Sequence, residues 1–108
     1  ETQRDKMLRM TGSIYRTQKW LHQTDVANIA NAIREFFPDM PQEMLSACIT
    51  RYQSLGLWGK NPILPRSGFD RLQASGHSGG LFSTGAAYET CVDNSLAKEV
   101  IAADPPSM

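Results

Sequence analysis

Cysteine is scarce in this chain, charge of one sign is missing, and no long apolar run occurs. Cys48 and Cys91 are the only two cysteines and lie far apart in sequence, so there is no CxxC pair and no zinc-type ligand spacing. The plain reading is two small apolar side chains, with a disulfide as the alternative in an oxidising compartment. Eleven basic residues balance eleven acidic ones, which leaves no global attraction to nucleic acid or to an anionic membrane surface. No segment approaches the roughly 18 consecutive apolar residues of a membrane span. Apolar stretches such as residues 100–103 are short, and the opening residues, Glu1 to Lys6, are polar and unlike a secretory leader. Strand signals are missing too, since no apolar–polar alternation runs beyond about four residues. The absence of an initiator Met points to a chain processed or cut from something longer.

What the sequence does contain is helical periodicity. Met7, Met10, Ile14 and Leu21 form one apolar stripe, flanked by Leu8, Tyr15 and Trp20. This predicts a long helix over residues 2–23, with Gly12 as a point of close helix approach. Thr24 or Asp25 supplies an N-cap for a second helix reaching about residue 37, with Val26, Ile29, Ala30, Ile33, Phe36 and Phe37 inward. Pro38 ends it. Asp39 and Gln42 stand at capping-box positions for a third helix to about residue 55, carrying Met44, Leu45, Cys48, Ile49, Tyr52 and Leu55 inward. Gly56 fits a left-handed cap.

Residues 57–65 hold two prolines and a glycine and predict an extended connection anchored by Trp58. A short helix over residues 67–75 comes next, with Phe69 and Leu72 inward and Gly76 at its end. Residues 77–80 read as a loop. Residues 85–103 are again helical, with Tyr88, Cys91, Val92, Leu96 and Val100 as the stripe and Asp93 as a break. The expectation is one all-α domain of five or six helices over residues 1–104, with a disordered tail at 105–108.

Candidate chemistry is thin. Imidazole is the usual general base, but His22 and His77 have no nucleophile or ligand at fixed spacing, so neither is assigned as a catalytic base. Ser78-Gly79-Gly80 and Ser83-Thr84-Gly85 lack the preceding strand and following Lys of a phosphate loop, and read as turns. Arg4, Lys6, Arg9, Arg16 and Lys19 crowd the first helix, but Glu1 and Asp5 interrupt them, which favours a solvated face over a nucleic-acid surface. Glu89 and Asp93, four apart, read as surface charge or a cap. No catalytic, metal or cofactor residue is assigned, and an enzyme is not expected.

The order and spacing of several short motifs carry a resemblance. Pro41-Gln42-Glu43-Met44-Leu45, Ile49-Thr50-Arg51-Tyr52, Gly56-Leu57-Trp58, Asn61-Pro62, Phe69-Asp70-Arg71-Leu72, Gly79-Gly80-Leu81, Tyr88-Glu89 and Val92-Asp93-Asn94-Ser95-Leu96-Ala97 run in sequence along the chain. Together they resemble the late region of substrate-binding proteins of nitrate/sulfonate/taurine-type ABC importers, a group that includes thiamine pyrimidine-precursor binding proteins. The resemblance implies the helical C-terminal piece of a two-lobed periplasmic binding protein. It also implies missing N-terminal lobes, a small solute, a permease partner with its ATPase, an extracytoplasmic location and no nucleic acid. No solute-binding residue is carried over, because the strands that frame the cleft would lie in other sequence. The cysteine-rich motif of the pyrimidine-synthase relatives is absent. An independent helical interaction or DNA-binding domain is the alternative. Helices shaped to cover a missing lobe are further expected to expose an apolar face, with a two-fold homodimer as its simplest cover.

Overall fold

A computed structural model describes residues 1–108. It is all-α, with six α-helices and no strand: α1 (Gln3–Gln23), α2 (Val26–Ile33), α3 (Gln42–Ser54), α4 (Arg66–Ser78), α5 (Tyr88–Cys91) and α6 (Ser95–Ala103), with a 3-10 turn at Arg34–Phe36 between α2 and α3.

Several helix ends have a local cause. Thr2 opens α1 through a capping box: the Asp5 N–H donates to Thr2 Oγ1 at 3.1 Å, and the Thr2 N–H donates to Asp5 Oδ2 at 2.9 Å. Of the two candidate caps for α2, Asp25 takes the role, accepting the Asn28 N–H at 3.0 Å. That helix stops at Ile33, short of residue 37, because Phe37 must leave the α region ahead of Pro38 and the last turn tightens to 3-10. Phe36 and Phe37 are consequently exposed rather than in the core. Asp39 does not cap α3. Pro41 occupies the N-cap position with no side-chain bond, and the Gln42 amide donates instead to Asn31 Oδ1 at 3.0 Å.

Gly56 adopts φ 62°, and the Gly56 and Leu57 N–H groups donate to Gln53 and Tyr52 carbonyls at 3.0 Å each. This is the Schellman arrangement that a glycine permits. The same device recurs at the end of α4, four residues later than expected. Gly80, at φ 70°, closes α4, while Gly76, expected to end it, lies buried within it. The reason is tertiary: the Phe82 ring folds back so closely that a Cβ on Gly76 would sit 2.5 Å from it. His77 and Ser78 are therefore helical, not loop.

The main core is Ile29 and Ala30 of α2 against Leu45 and Ile49 of α3, surrounded by Trp20, Leu21, Val26, Ile33, Met40 and Trp58. Trp58 anchors the 57–65 connection as expected, meeting the Tyr52 ring edge-on at 5.9 Å. A smaller apolar contact forms where Ala97 and Val100 of α6 are buried and α6 packs on α1. Asp93 does break the last helical stretch, its carboxylate accepting the Ser95 N–H at 2.8 Å.

Several inward assignments fail. In the first half of α1 the half-buried positions are Leu8, Thr11, Gly12 and Tyr15, whereas Met7, Met10 and Ile14 are 47%, 54% and 45% exposed. A Cβ on Gly12 would meet nothing within 4 Å, so no close crossing occurs there. Met44, Leu55 and Leu72 are exposed, as is Cys91, while Cys48 is half-buried and both thiols are free. Residues 104–108 are not loose but lie along α1, held by Arg16, Thr17 and Lys19.

The molecule is open. Its radius of gyration is 16.9 Å, against about 13 Å for a compact domain of this length. Only 7 of 108 residues are buried, so each core side chain carries a large share of the stability. Ile49, 2% exposed at the centre of the α2–α3 contact, is the sharpest case. Ile49→Ala is expected to cost about 2–5 kcal/mol, read as a lowered denaturant midpoint. An unchanged midpoint would mean that α3 presents a different face.

Candidate functional site

The polar groups that the sequence singled out are scattered and mostly used within the chain. His22 Nε2 lies 3.2 Å from the Trp58 carbonyl and 3.3 Å from that of Gly59, tying the end of α1 to the extended connection. His77 sits in the last turn of α4, far in sequence from His22. No three His, Cys, Asp or Glu side chains gather as a metal set. Ser78-Gly79-Gly80 forms the C-terminal end of α4, where the helix presents carbonyls and the negative end of its dipole; an anion needs the opposite end.

The basic residues of α1 are largely committed inside the molecule. Arg4 pairs with Glu99 at 2.5 Å, Arg9 with Glu1 and Lys19 with Asp104 at 2.5 Å, while Arg16 Nε donates to the Pro106 carbonyl at 3.0 Å. The Glu89–Asp93 pair is split, Glu89 meeting Arg66 and Asp93 capping α6.

Two polar junctions were not anticipated from sequence. Asn94 treats the Leu64 backbone as a paired strand would: its Oδ1 accepts the Leu64 N–H at 3.0 Å and its Nδ2 donates to the Leu64 carbonyl at 3.1 Å. Tyr88 Oη joins the knot, donating to the same carbonyl at 2.5 Å. Gln73 does likewise with Ala86, at 2.7 Å in both directions. Asn94 and Gln73 therefore hold the loops to the helices, with their own amide groups spent on backbone. The only advance signal was an amide side chain near a loop, which is too common to single out.

Beside a polar recess of about 370 Å³ lined by Lys19, His22, Gln23 and Lys60, the exposed surface includes apolar hollows. One open recess of about 430 Å³ is lined by Phe36, Phe37, Pro38, Met40, Pro41 and Met44. A second, of about 410 Å³, lies between α4 and residues 81–91, lined by Phe69, Leu72, Gly76, Leu81, Phe82 and Cys91. Leu72 and Leu81 at its rim are 73% and 82% exposed. With the Met7–Met10–Ile14 face of α1, these make three separate apolar surfaces. Recesses so open and so poor in directed polar groups suit packing against polypeptide better than orienting a small molecule.

Comparison with known proteins gives one distant relationship. The chain is 24% identical over 96 residues to a Bacillus subtilis (strain 168) protein named "Putative binding protein YtlA", a match covering 89% of this chain and 29% of that protein. The chain thus spans less than a third of the relative's length. No family model matches the chain. No solved structure does either. A protein named for binding, rather than for catalysis, is what this chain is similar to.

The electrostatics of the helix starts give a pH dependence. Hydrogen bonds from the Thr2 backbone and side chain hold the Asp5 carboxyl below its ordinary value, the Asn28 N–H does the same for Asp25, and the Ser95 N–H for Asp93. Glu99 is lowered by its hydrogen bond from Arg4. Groups depressed in the folded state contribute stability that is present above the unfolded pKa of about 4 and lost as pH falls through the lower folded values. The thermal midpoint is therefore expected to fall between pH 5 and pH 3. Asp25→Asn, which keeps a capping oxygen without a titrating group, should shrink that fall. Circular-dichroism melts at the two pH values check both; a midpoint that rises on acidification reverses the sign argument.

Proposed function

We propose that this chain is the helical C-terminal part of the solute-binding component of an ABC importer. The intact protein captures a small solute, such as a sulfonate, taurine, nitrate or a related organic anion or heterocycle, outside the cytoplasmic membrane and delivers it to a permease. It is a binding component and not an enzyme. The observation that carries this reading is the match of nearly the whole chain to less than a third of a longer protein named for binding. The ordered motifs from Pro41-Gln42 to Leu96-Ala97 support the transporter class. No helix here is long and apolar enough to cross a membrane.

The open architecture fits the same reading. Fourteen large apolar side chains are exposed around a core of few residues, nine of them in the three groups on α1, at the α2–α3 corner and around α4. In the intact protein, further polypeptide covers these faces and supplies the cleft walls that this all-α segment lacks. Its own contribution is structural: Leu45 and Ile49 hold the helical layer, and Trp58 pins the connection beyond it. Solute closes the lobes by binding the closed state more tightly than the open one. The DNA-binding alternative loses ground because four of the five α1 cations, all but Lys6, have partners within the chain in Glu1, Glu99, Asp104 and the Pro106 carbonyl.

Two outcomes are expected of the 108-residue chain by itself. Calorimetric titration with taurine, alkanesulfonates, nitrate and aromatic carboxylates should give no binding heat, and a stoichiometric micromolar signal would show the segment to be a binding unit alone. Light scattering over a concentration series should show self-association, a homodimer being the simplest form, as uncovered apolar faces find each other. A strict monomer at every concentration counts against faces that need covering.

A further inference from the structure

We propose that residues 104–108 are a latch that clamps α6 onto α1, with Lys19 as its keeper. The need for a clamp arises from α6 itself. It has nine residues, fewer than the roughly 12–15 that a helix needs to persist alone in water, and only Ala97 and Val100 on it are buried. Arg4 grips it midway through Glu99. Beyond Ala103, Asp104 takes a left-handed conformation, φ 43°, which ends the helix and turns the chain back toward α1. Asp is among the few non-glycine residues that tolerate this region.

The two prolines after Asp104 are suited to being gripped. Pro105 and Pro106 have no N–H to satisfy, and their rings restrict the backbone so that little freedom is lost when the segment docks. Only their carbonyls need partners, and each has one on α1. Lys19 Nζ donates to the Pro105 carbonyl at 2.7 Å, and Arg16 Nε to that of Pro106 at 3.0 Å. The Lys19 ammonium also meets Asp104 Oδ1 at 2.5 Å and lies 4.6 Å from the centre of the Tyr15 ring. Its side chain is largely shielded, unlike that of Asp104. At the end of the chain Met108 Sδ rests 3.5 Å from Thr17 Oγ1, whose proton goes to the Ser13 carbonyl at 2.9 Å. Three α1 positions that face the tail, Arg16, Thr17 and Lys19, thus serve one five-residue segment. The latch makes α1 and α6 a single arm, whose other side carries Met7, Met10 and Ile14.

Amide hydrogen exchange, measured segment by segment, tests it on the 108-residue chain and three variants: removal of residues 104–108, Lys19→Met and Lys19→Arg. Removal and Lys19→Met should each speed exchange across α6 by about threefold to tenfold, the range set by a few partly exposed charge-assisted bonds. The α2 and α3 amides should be unaffected, and Lys19→Arg should stay near the parent. Unchanged α6 exchange after removal of the tail overturns the latch, as does equal acceleration in α2 and α3. Exchange in Lys19→Arg as fast as in Lys19→Met overturns the role of Lys19 as a charged keeper.

Discussion

The contact of Ile29 and Ala30 with Leu45 and Ile49 is the apolar nucleus on which the other elements hang. It is a small core for 108 residues. Burial of this size cannot by itself offset the entropy of ordering so long a chain, which is why the remaining elements rely on tethers of another kind. Trp20, Leu21 and Trp58 bring α1 and the 57–65 connection up to the core. Beyond them, side chains that bond backbone do the fastening: His22 to residues 58 and 59, Asn94 to Leu64, Gln73 to Ala86, and Lys19 and Arg16 to the tail. Each of these satisfies a loop backbone that no sheet is present to satisfy.

The counterpart of a small core is a large uncovered apolar surface. Met7, Met10 and Ile14 on α1, Phe36, Phe37 and Met44 at the α2–α3 corner, and Leu72, Leu81 and Phe82 around α4 form separate exposed groups. The recesses at the α2–α3 corner and beside α4 are lined mainly by apolar side chains, so these faces offer shape and apolar area but little chemistry. Such surfaces are suited to more polypeptide. This is the physical content behind reading the chain as one part of a larger binding protein.

Local rules made much of the fold legible. Periodicity gave an all-α chain, Asp25 and Gly56 marked helix ends through their own side chain or lack of one, and Asp93 broke the last helical stretch by bonding the backbone two residues on. Such features depend on neighbours within a turn, and a sequence displays those directly. The motif series from Pro41-Gln42 to Leu96-Ala97 likewise pointed to a binding protein without any knowledge of contacts.

Tertiary structure alone decided which face of each helix turns inward. Met7, Met10 and Ile14 are as regular an apolar stripe as any in the chain, yet Leu8 and Tyr15 are the half-buried positions on the helix that α6 packs against, because the stripe shows where apolar residues lie and not what stands opposite them. Gly76 reads as a helix end and is instead the place where the Phe82 ring lies against α4, a contact set by the path of the loop. Pro105-Pro106 reads as the end of order but is docked, since its carbonyls meet cations some ninety residues earlier in the chain. The amino-acid sequence by itself determined helices and their caps, which are short-range energetics. Their facing, and the grip of the tail on α1, depend on partners that only three-dimensional packing brings within reach.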